Sequence, residues 1–241
     1  MLITRELRQC GAEPVERSAL AFSRGLMKMP TIVYVDGFNL YYGLLRHSPH
    51  KWLDLVKFVE ALLTDKYTVV RIKYFTARVA KNDDDPDMAI KQQQYLEALK
   101  SQEKVEVIEG VYKRFRVKLP FAKEPCRSCD KVQYATVIKT EEKMSDVNLA
   151  SEMIVDAFED KADAFVLISG DADQSAPLSI VRHKRNKVTV VFNPHEGNCH
   201  ELRRFSTFCK NIPRDLPAKC RLPDEVKVGD RIVHCPEAWR A

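Results

Sequence analysis

Four aspartates fall where apolar runs of this chain begin or end. Thr31-Ile-Val-Tyr-Val35 closes on Asp36-Gly37-Phe38-Asn39, and Ala164-Phe-Val-Leu-Ile168 closes on Ser169-Gly170-Asp171-Ala172-Asp173. Asp146 opens the helix-like stretch that precedes the second run. In an open α/β sheet, ligands bind outside the carboxyl ends of the strands, where the strand order reverses. Carboxylates gathered there repel one another by roughly 4 kcal/mol per close pair at an effective dielectric near 20. A cation offsets that cost, and oxygen-only ligands suit Mg²⁺ or Mn²⁺. Such a centre orients and acidifies a water and neutralises charge on a phosphodiester.

Each acid also has a purely structural reading. Asp36 and Asn39 suit a strand-to-helix turn in which one of them caps the helix, with Gly37 permitting the sharp bend. Asp173 can cap the helix that follows, where Pro177 is tolerated because it lies in the first turn. On that reading Asp171 is left free to face a ligand. Asp146, after Ser145, is favoured by the helix dipole. It is the joint delivery of all four to one sheet edge that points to a cation site.

The elements that would position them alternate. Continuous apolar strands at 31–35 and 164–168 have the character of strands buried on both faces. Further strands are expected at 69–79, 105–118, 132–138 and 188–192. Helices are expected at 54–63, 88–101 (capped by Asp85 or Asp87), 145–160, 174–185 and 199–206. This order predicts a three-layer Rossmann-like α/β fold, a mostly parallel sheet with helices on both faces. Residues 1–28 read as a flexible N-terminal extension or an over-long start. One domain is expected over 29–212, with a Cys-x-x-Cys insertion around 120–132, followed by a weakly patterned C-terminal tail at 213–241.

The 241 residues are 45% apolar, enough for a core, and no apolar run nears the ~18 residues of a membrane span. No secretory pattern opens the chain, so a cytoplasmic location without membrane attachment is expected. The seven cysteines are scattered, and Cys10, Cys199, Cys209, Cys220 and Cys235 do not form a disulfide framework; most are expected as thiols. The net charge of +5 favours a polyanionic partner only if it is clustered. It is clustered at 112–118. Tyr112, Arg114, Arg116 and Lys118 share one face of a strand, where cations would meet phosphates and the ring would stack on a base, although a solvated strand face has the same pattern. Lys143 could reach a phosphate, and Tyr41 or Tyr42 could stack on a nucleotide or simply pack a helix on the sheet. Cys126 and Cys129 have the spacing of half a Zn²⁺ site. His195, Cys199 and His200 are a candidate second half, and a redox pair, a remnant of a lost site or a zinc shared between subunits are the alternatives. A homo-oligomer is compatible with the sequence.

Three strings carry a family resemblance: Val35-Asp-Gly-Phe-Asn-Leu-Tyr-Tyr-Gly43, Glu142-Lys-Met-Ser-Asp-Val-Asn-Leu-Ala150 and Leu167-Ile-Ser-Gly-Asp-Ala-Asp173. In this order and spacing they resemble the motifs of the NYN domain family, and within it the LabA-like branch of the PIN-like nuclease superfamily, over roughly residues 30–212. The resemblance implies a Rossmann-like sheet and a metal-dependent ribonuclease acting on RNA. It places the family's metal-site acids on Asp36, Asp146, Asp171 and Asp173, with Asn39 and Ser169 beside them. Gln174 departs from the apolar residue usual after the last acid. Two other functions stay open: a non-catalytic RNA-binding or regulatory module of the same fold, and an aspartyl-nucleophile phosphatase. The latter usually needs an acid at the position that Phe38 occupies.

Overall fold

The computed structural model describes residues 28–79, 86–121, 134–197 and 199–240. The N-terminal extension up to residue 27, Asp85, and the Cys126/Cys129 segment lie outside the described residues. A seven-stranded sheet runs β4-β3-β2-β1-β5-β6-β7. Its strands are β1 (Met29–Asp36), β2 (Tyr67–Ala77), β3 (Val105–Pro120), β4 (Tyr134–Lys143), β5 (Ala164–Ile168), β6 (Val188–Asn193) and β7 (Phe208–Asn211). All neighbours are parallel except β3 and β4. The mixed α/β architecture expected from the sequence is the one observed.

The central strand β1 explains the layering. Its side chains alternate, so Val33 and Val35 enter one core with Leu40, Trp52, Phe58 and Leu99. Ile32 and Tyr34 enter the other with Phe75, Leu149, Met153 and Phe165. The first core is covered by α1 (Gly37–Leu40, prolonged by a π turn over Tyr41–Leu45), α2 (Leu55–Leu62) and α3 (Met88–Lys100). The second is covered by α4 (Ser145–Phe158), α5 (Ser175–Lys184) and α6 (His200–Phe205). Asp54 caps α2 by accepting from Lys57 N at 3.1 Å, whereas Asp87 stands before α3 without a side-chain capping bond.

Two differences from the sequence expectation have clear causes. The segment after Pro213 is patterned after all. It forms α7 (Leu216–Lys219) and an antiparallel hairpin of β8 (Glu225–Val228) and β9 (Arg231–His234). Cys220, Leu222, Val226, Val233 and Cys235 join the first core, and the Trp52 indole N–H donates to Pro223 O at 2.8 Å. The cysteines are also not all thiols: Cys199, just before α6, is disulfide-paired with Cys209 on β7, while Cys220 and Cys235 are free and buried.

One buried polar network fixes α4 on the sheet. Lys73 on β2 donates to Asp156 at 2.6 Å and to Glu152 at 2.6 Å, and Tyr34 on β1 donates to Asp156 at 2.7 Å. Lys161 adds a bond at 3.0 Å. Burial alone would push the Asp156 pKa up, but the bonds from Lys73, Tyr34 and Lys161 outweigh it and hold the carboxyl below its ordinary range. Asp156→Ala would leave the Lys73 ammonium with Glu152 alone and strip the buried Tyr34 hydroxyl of its acceptor, and a loss of about 1–3 kcal/mol is expected in urea unfolding at pH 7. Because the folded pKa is depressed, the wild-type contribution is present at neutral pH and lost as pH falls below the ordinary 3.8 of Asp. The gap between wild type and variant should therefore narrow in acid; a loss under 1 kcal/mol at pH 7 would show that the network does not hold the helix.

Candidate active site

The sheet reverses direction at β1: the chain passes from β1 to β2 and β3 on one side, then crosses to β5 and β6 on the other. Val35 pairs with Ile168, so Asp36 and Ser169 emerge side by side at the carboxyl edge. Asp36 is 7% exposed. Its Oδ1 accepts from Asn39 N at 2.9 Å, capping α1, and its Oδ2 accepts from the Ser169 hydroxyl at 3.0 Å. Asn39 Oδ1 accepts in turn from Gly170 N at 2.8 Å, so two side chains of the first motif bond the chain leaving β5. Gly37 is required here, since a Cβ would stand 2.7 Å from Phe75 O and the Tyr74 ring.

The second acidic pair divides its roles in the reverse of the sequence reading. Asp171, not Asp173, is the cap: its Oδ1 accepts from Asp173 N at 3.0 Å and opens the short 3₁₀ turn of Ala172–Gln174. Asp173 lies within that turn and is exposed. The cause is the inserted turn, which moves the start of α5 to Ser175 and puts the cap two residues earlier. Asp146 is the second residue of α4 and faces solvent. The chain enters α4 through Met144 in a left-handed conformation (φ 82°). That entry hugs Gly110 of β3, where a Cβ would meet Lys143 O and Ser145 Oγ at 2.7 Å.

The four acids share one electrostatic field. Burial, first, and then the charges of Asp146 and Asp171 raise the Asp36 pKa to about 6, against lowering by the Asn39 N–H and Ser169 O–H. Burial, then Asp171 and Asp173, raise that of Asp146. Among the described residues none of the four forms a salt bridge. Among those residues, too, no three His, Cys, Asp or Glu side chains are arranged to ligate one ion directly. The acids of the edge offer oxygen donors only, the kind that suits a hard cation. They do not form a closed cage of protein ligands among the described residues. Ser145 Oγ and Gln174 Oε1, adjacent in sequence to Asp146 and Asp173, are buried without hydrogen-bond partners among the described residues. Such groups call for ordered water or an ion.

Sequence reasoning named His195 only as a candidate zinc ligand and missed its place beside the first motif. Its Nε2 lies 3.0 Å from Asn39 Oδ1, and its backbone N donates to Asn193 Oδ1 at 3.0 Å. Its ring leaves only 3.0 Å for a Cβ at Gly43. His195 thus buttresses the first motif, and Cys199 is spent in a disulfide, so neither stands as a free second half for zinc. Lys143 pairs with Glu141 at 3.1 Å, at the end of the ribbon nearest Asp146.

The sequence profile of the NYN domain matches residues 30–209, a span that opens in β1, closes in β7 and contains all four acids. The chain belongs to the NYN domain family. NYN domains lie within the PIN-like nuclease superfamily, are usually ribonucleases, and generally use divalent metals. The NYN chain is also similar to a protein named 6-hydroxy-3-succinoylpyridine 3-monooxygenase HspA, from Pseudomonas putida (strain DSM 28022 / S16). The two are 32% identical, with 87% of this chain and 75% of that protein covered. Among solved structures it resembles a protein of unknown function from Vibrio parahaemolyticus RIMD 2210633, with a TM-score of 0.50, 19% identity, and coverage of 78% of this chain and 95% of that one. That likeness concerns the fold.

The buried charge on Asp36 has a thermodynamic signature. A folded pKa raised to about 6 means that the folded chain holds this proton more tightly than the unfolded one, so Asp36 costs stability as pH rises through that value. Asp36→Asn, measured at pH 8 in EDTA, should be more stable than wild type by about 1–3 kcal/mol. The gain should disappear below pH 4. A destabilised variant at pH 8 would show that the charged carboxylate supports the fold.

Proposed function

We propose that this chain is a metal-dependent ribonuclease of the LabA-like branch, hydrolysing RNA phosphodiester bonds at the edge formed by Asp36, Asp146, Asp171 and Asp173. The observation that carries the reading is that these four acids lie at one sheet edge, where Asp36 and Asp146 are raised in pKa by burial and by neighbouring acids of the set, with no cation paired to any of the four among the described residues. When bound there, Mg²⁺ or Mn²⁺ would supply positive charge against the phosphodiester and acidity to a water. The chain's own residues do the positioning. The Asn39 N–H and Ser169 O–H fix the plane of the Asp36 carboxylate, and the Asp173 N–H fixes one oxygen of Asp171. Asp146 and Asp173 are exposed and Asp171 is half-buried, so the edge is open to a substrate from solvent.

The β3–β4 ribbon supports RNA as the substrate. Both strands run beyond the sheet core as an exposed antiparallel pair, Val111 opposite Lys143 to Pro120 opposite Tyr134. Tyr112 stacks on Phe38, two residues after Asp36, with ring centres 6.2 Å apart. Arg114, Arg116 and Lys118 follow on the same face, extending roughly 20 Å from Tyr112 at ~3.3 Å per residue. This is a cationic track leading away from the acids, suited to a single strand.

Asp171→Asn should abolish cleavage of labelled RNA in a Mn²⁺ gel assay and leave the thermal transition within about 1 kcal/mol of wild type. Cleavage that survives both EDTA and this substitution would overturn the metal-dependent reading. RNA retained but never cut would favour the non-catalytic module. Turnover of 6-hydroxy-3-succinoylpyridine without RNA cleavage would favour the activity in the Pseudomonas relative's name. Replacing Arg114 and Arg116 together by Ala should weaken RNA binding and lower its log–log salt slope by about 1–2, because fewer counterions are released. An unchanged slope would remove the ribbon from the binding surface.

A further inference from the structure

A cavity opens beside the acidic edge, on the side of Gly37 and Phe38. Six aromatic rings from distant parts of the chain line it, Phe38, Tyr41 and Tyr42 from α1 and its π turn, Tyr74 from β2, Tyr95 from α3 and Trp239 from the C-terminal segment, together with aliphatic side chains and the polar Thr76 and Gln92. The rings brace one another. Tyr95 meets Trp239 edge to face at 6.3 Å and Tyr74 at 6.4 Å, and Phe38 lies parallel to Tyr42 at 6.4 Å. The Tyr95 hydroxyl is fixed on Leu53 O at 3.1 Å. One polar cation, Lys51, lines the space; its Nζ donates to Ser48 O at 2.6 Å, and no carboxylate pairs with it among the described residues. Tyr42 is 48% exposed at the rim, so the cavity is reached from solvent.

Several flat rings, with the Lys51 ammonium and the polar Thr76 and Gln92 among them, suit a planar, polar ring better than an aliphatic chain. Stacking gives affinity for a ring's face, and an ammonium donates to its oxygen or nitrogen edge. The cavity wall begins at the residue after Asp36. A polymer with a phosphodiester at the acids would therefore carry its adjoining base to this opening. We propose that the cavity binds a planar nitrogen heterocycle, namely the unstacked RNA base next to the scissile phosphate, and so sets which nucleotide is cut. This deepens the ribonuclease reading and rests on it for the source of the ring. It also gives the C-terminal hairpin a task, because that hairpin leads the chain to Trp239.

The test is binding without turnover. Calorimetric titration of the full chain in EDTA with each nucleoside 5′-monophosphate should show saturable binding with a preference among bases. Trp239→Ala and Tyr42→Ala should each weaken it about 5- to 100-fold, the range of one lost base–aromatic stack. Tyr42 is half exposed, so its variant keeps the test valid if the Trp239 variant fails to fold. Replacing single nucleotides of an RNA substrate by abasic ones should raise KM at one position with little change in kcat. Nucleotide binding that both variants leave unchanged would overturn the proposal, as would binding of 6-hydroxy-3-succinoylpyridine with no binding of any nucleotide. The two readings fail separately. A chain that binds mononucleotides but cuts no RNA loses the ribonuclease reading and keeps the pocket, whereas one that cuts RNA without base preference loses only the pocket.

Discussion

A carboxylate held at the buried end of the central strand, with only neutral donors around it, is the constraint on which the rest depends. Asp36 cannot be paired with a lysine or arginine and still attract a cation. The fold instead supplies an amide N–H from Asn39 and a hydroxyl from Ser169, which orient the charge without cancelling it. Those donors lie in two motifs about 130 residues apart in sequence and reach Asp36 only because β1 and β5 are neighbours at the sheet's reversal point. The same stitch is repeated one step outward, where Asn39 accepts from Gly170 and His195 contacts Asn39.

Holding this arrangement takes structure well away from it. Helix α4 presents Asp146 at its first turn, and the Lys73–Asp156–Tyr34 network pins the helix two turns and more further on. Gly110 lets the start of α4 come against β3, and Met144 accepts a left-handed backbone at the join. Non-glycine residues in that region cost free energy and persist where the surroundings over-determine them. Position and charge are thus tuned from opposite directions: salt-bridged acids hold the scaffold, and unbridged acids form the edge.

Much of this was legible in the sequence, and the failures are instructive. The strand 164–168 matched to the residue because a short, wholly apolar run between polar breaks has few other solutions. The convergence of Asp36 with Ser169 followed from the strand-end rule. The exchange of roles between Asp171 and Asp173 did not, because a three-residue turn is invisible to periodicity. The contact of His195 with Asn39 was hidden because it spans 156 residues and no spacing announces it. The β8–β9 hairpin could have been found: Val228-Gly-Asp-Arg231 places a Gly with φ +60° and an Asp in a two-residue loop, a combination hairpins favour.

Central to the proposed function is the capture of a hydrated divalent ion at this acidic edge. Water-proton relaxation in a Mn²⁺ titration of the full chain addresses it without any substrate. A bound Mn²⁺ that retains several fast-exchanging waters and is displaced by Mg²⁺ is the predicted result. Relaxation indistinguishable from free Mn²⁺ at millimolar protein would contradict it, and the acidic edge would then be a feature of the scaffold alone.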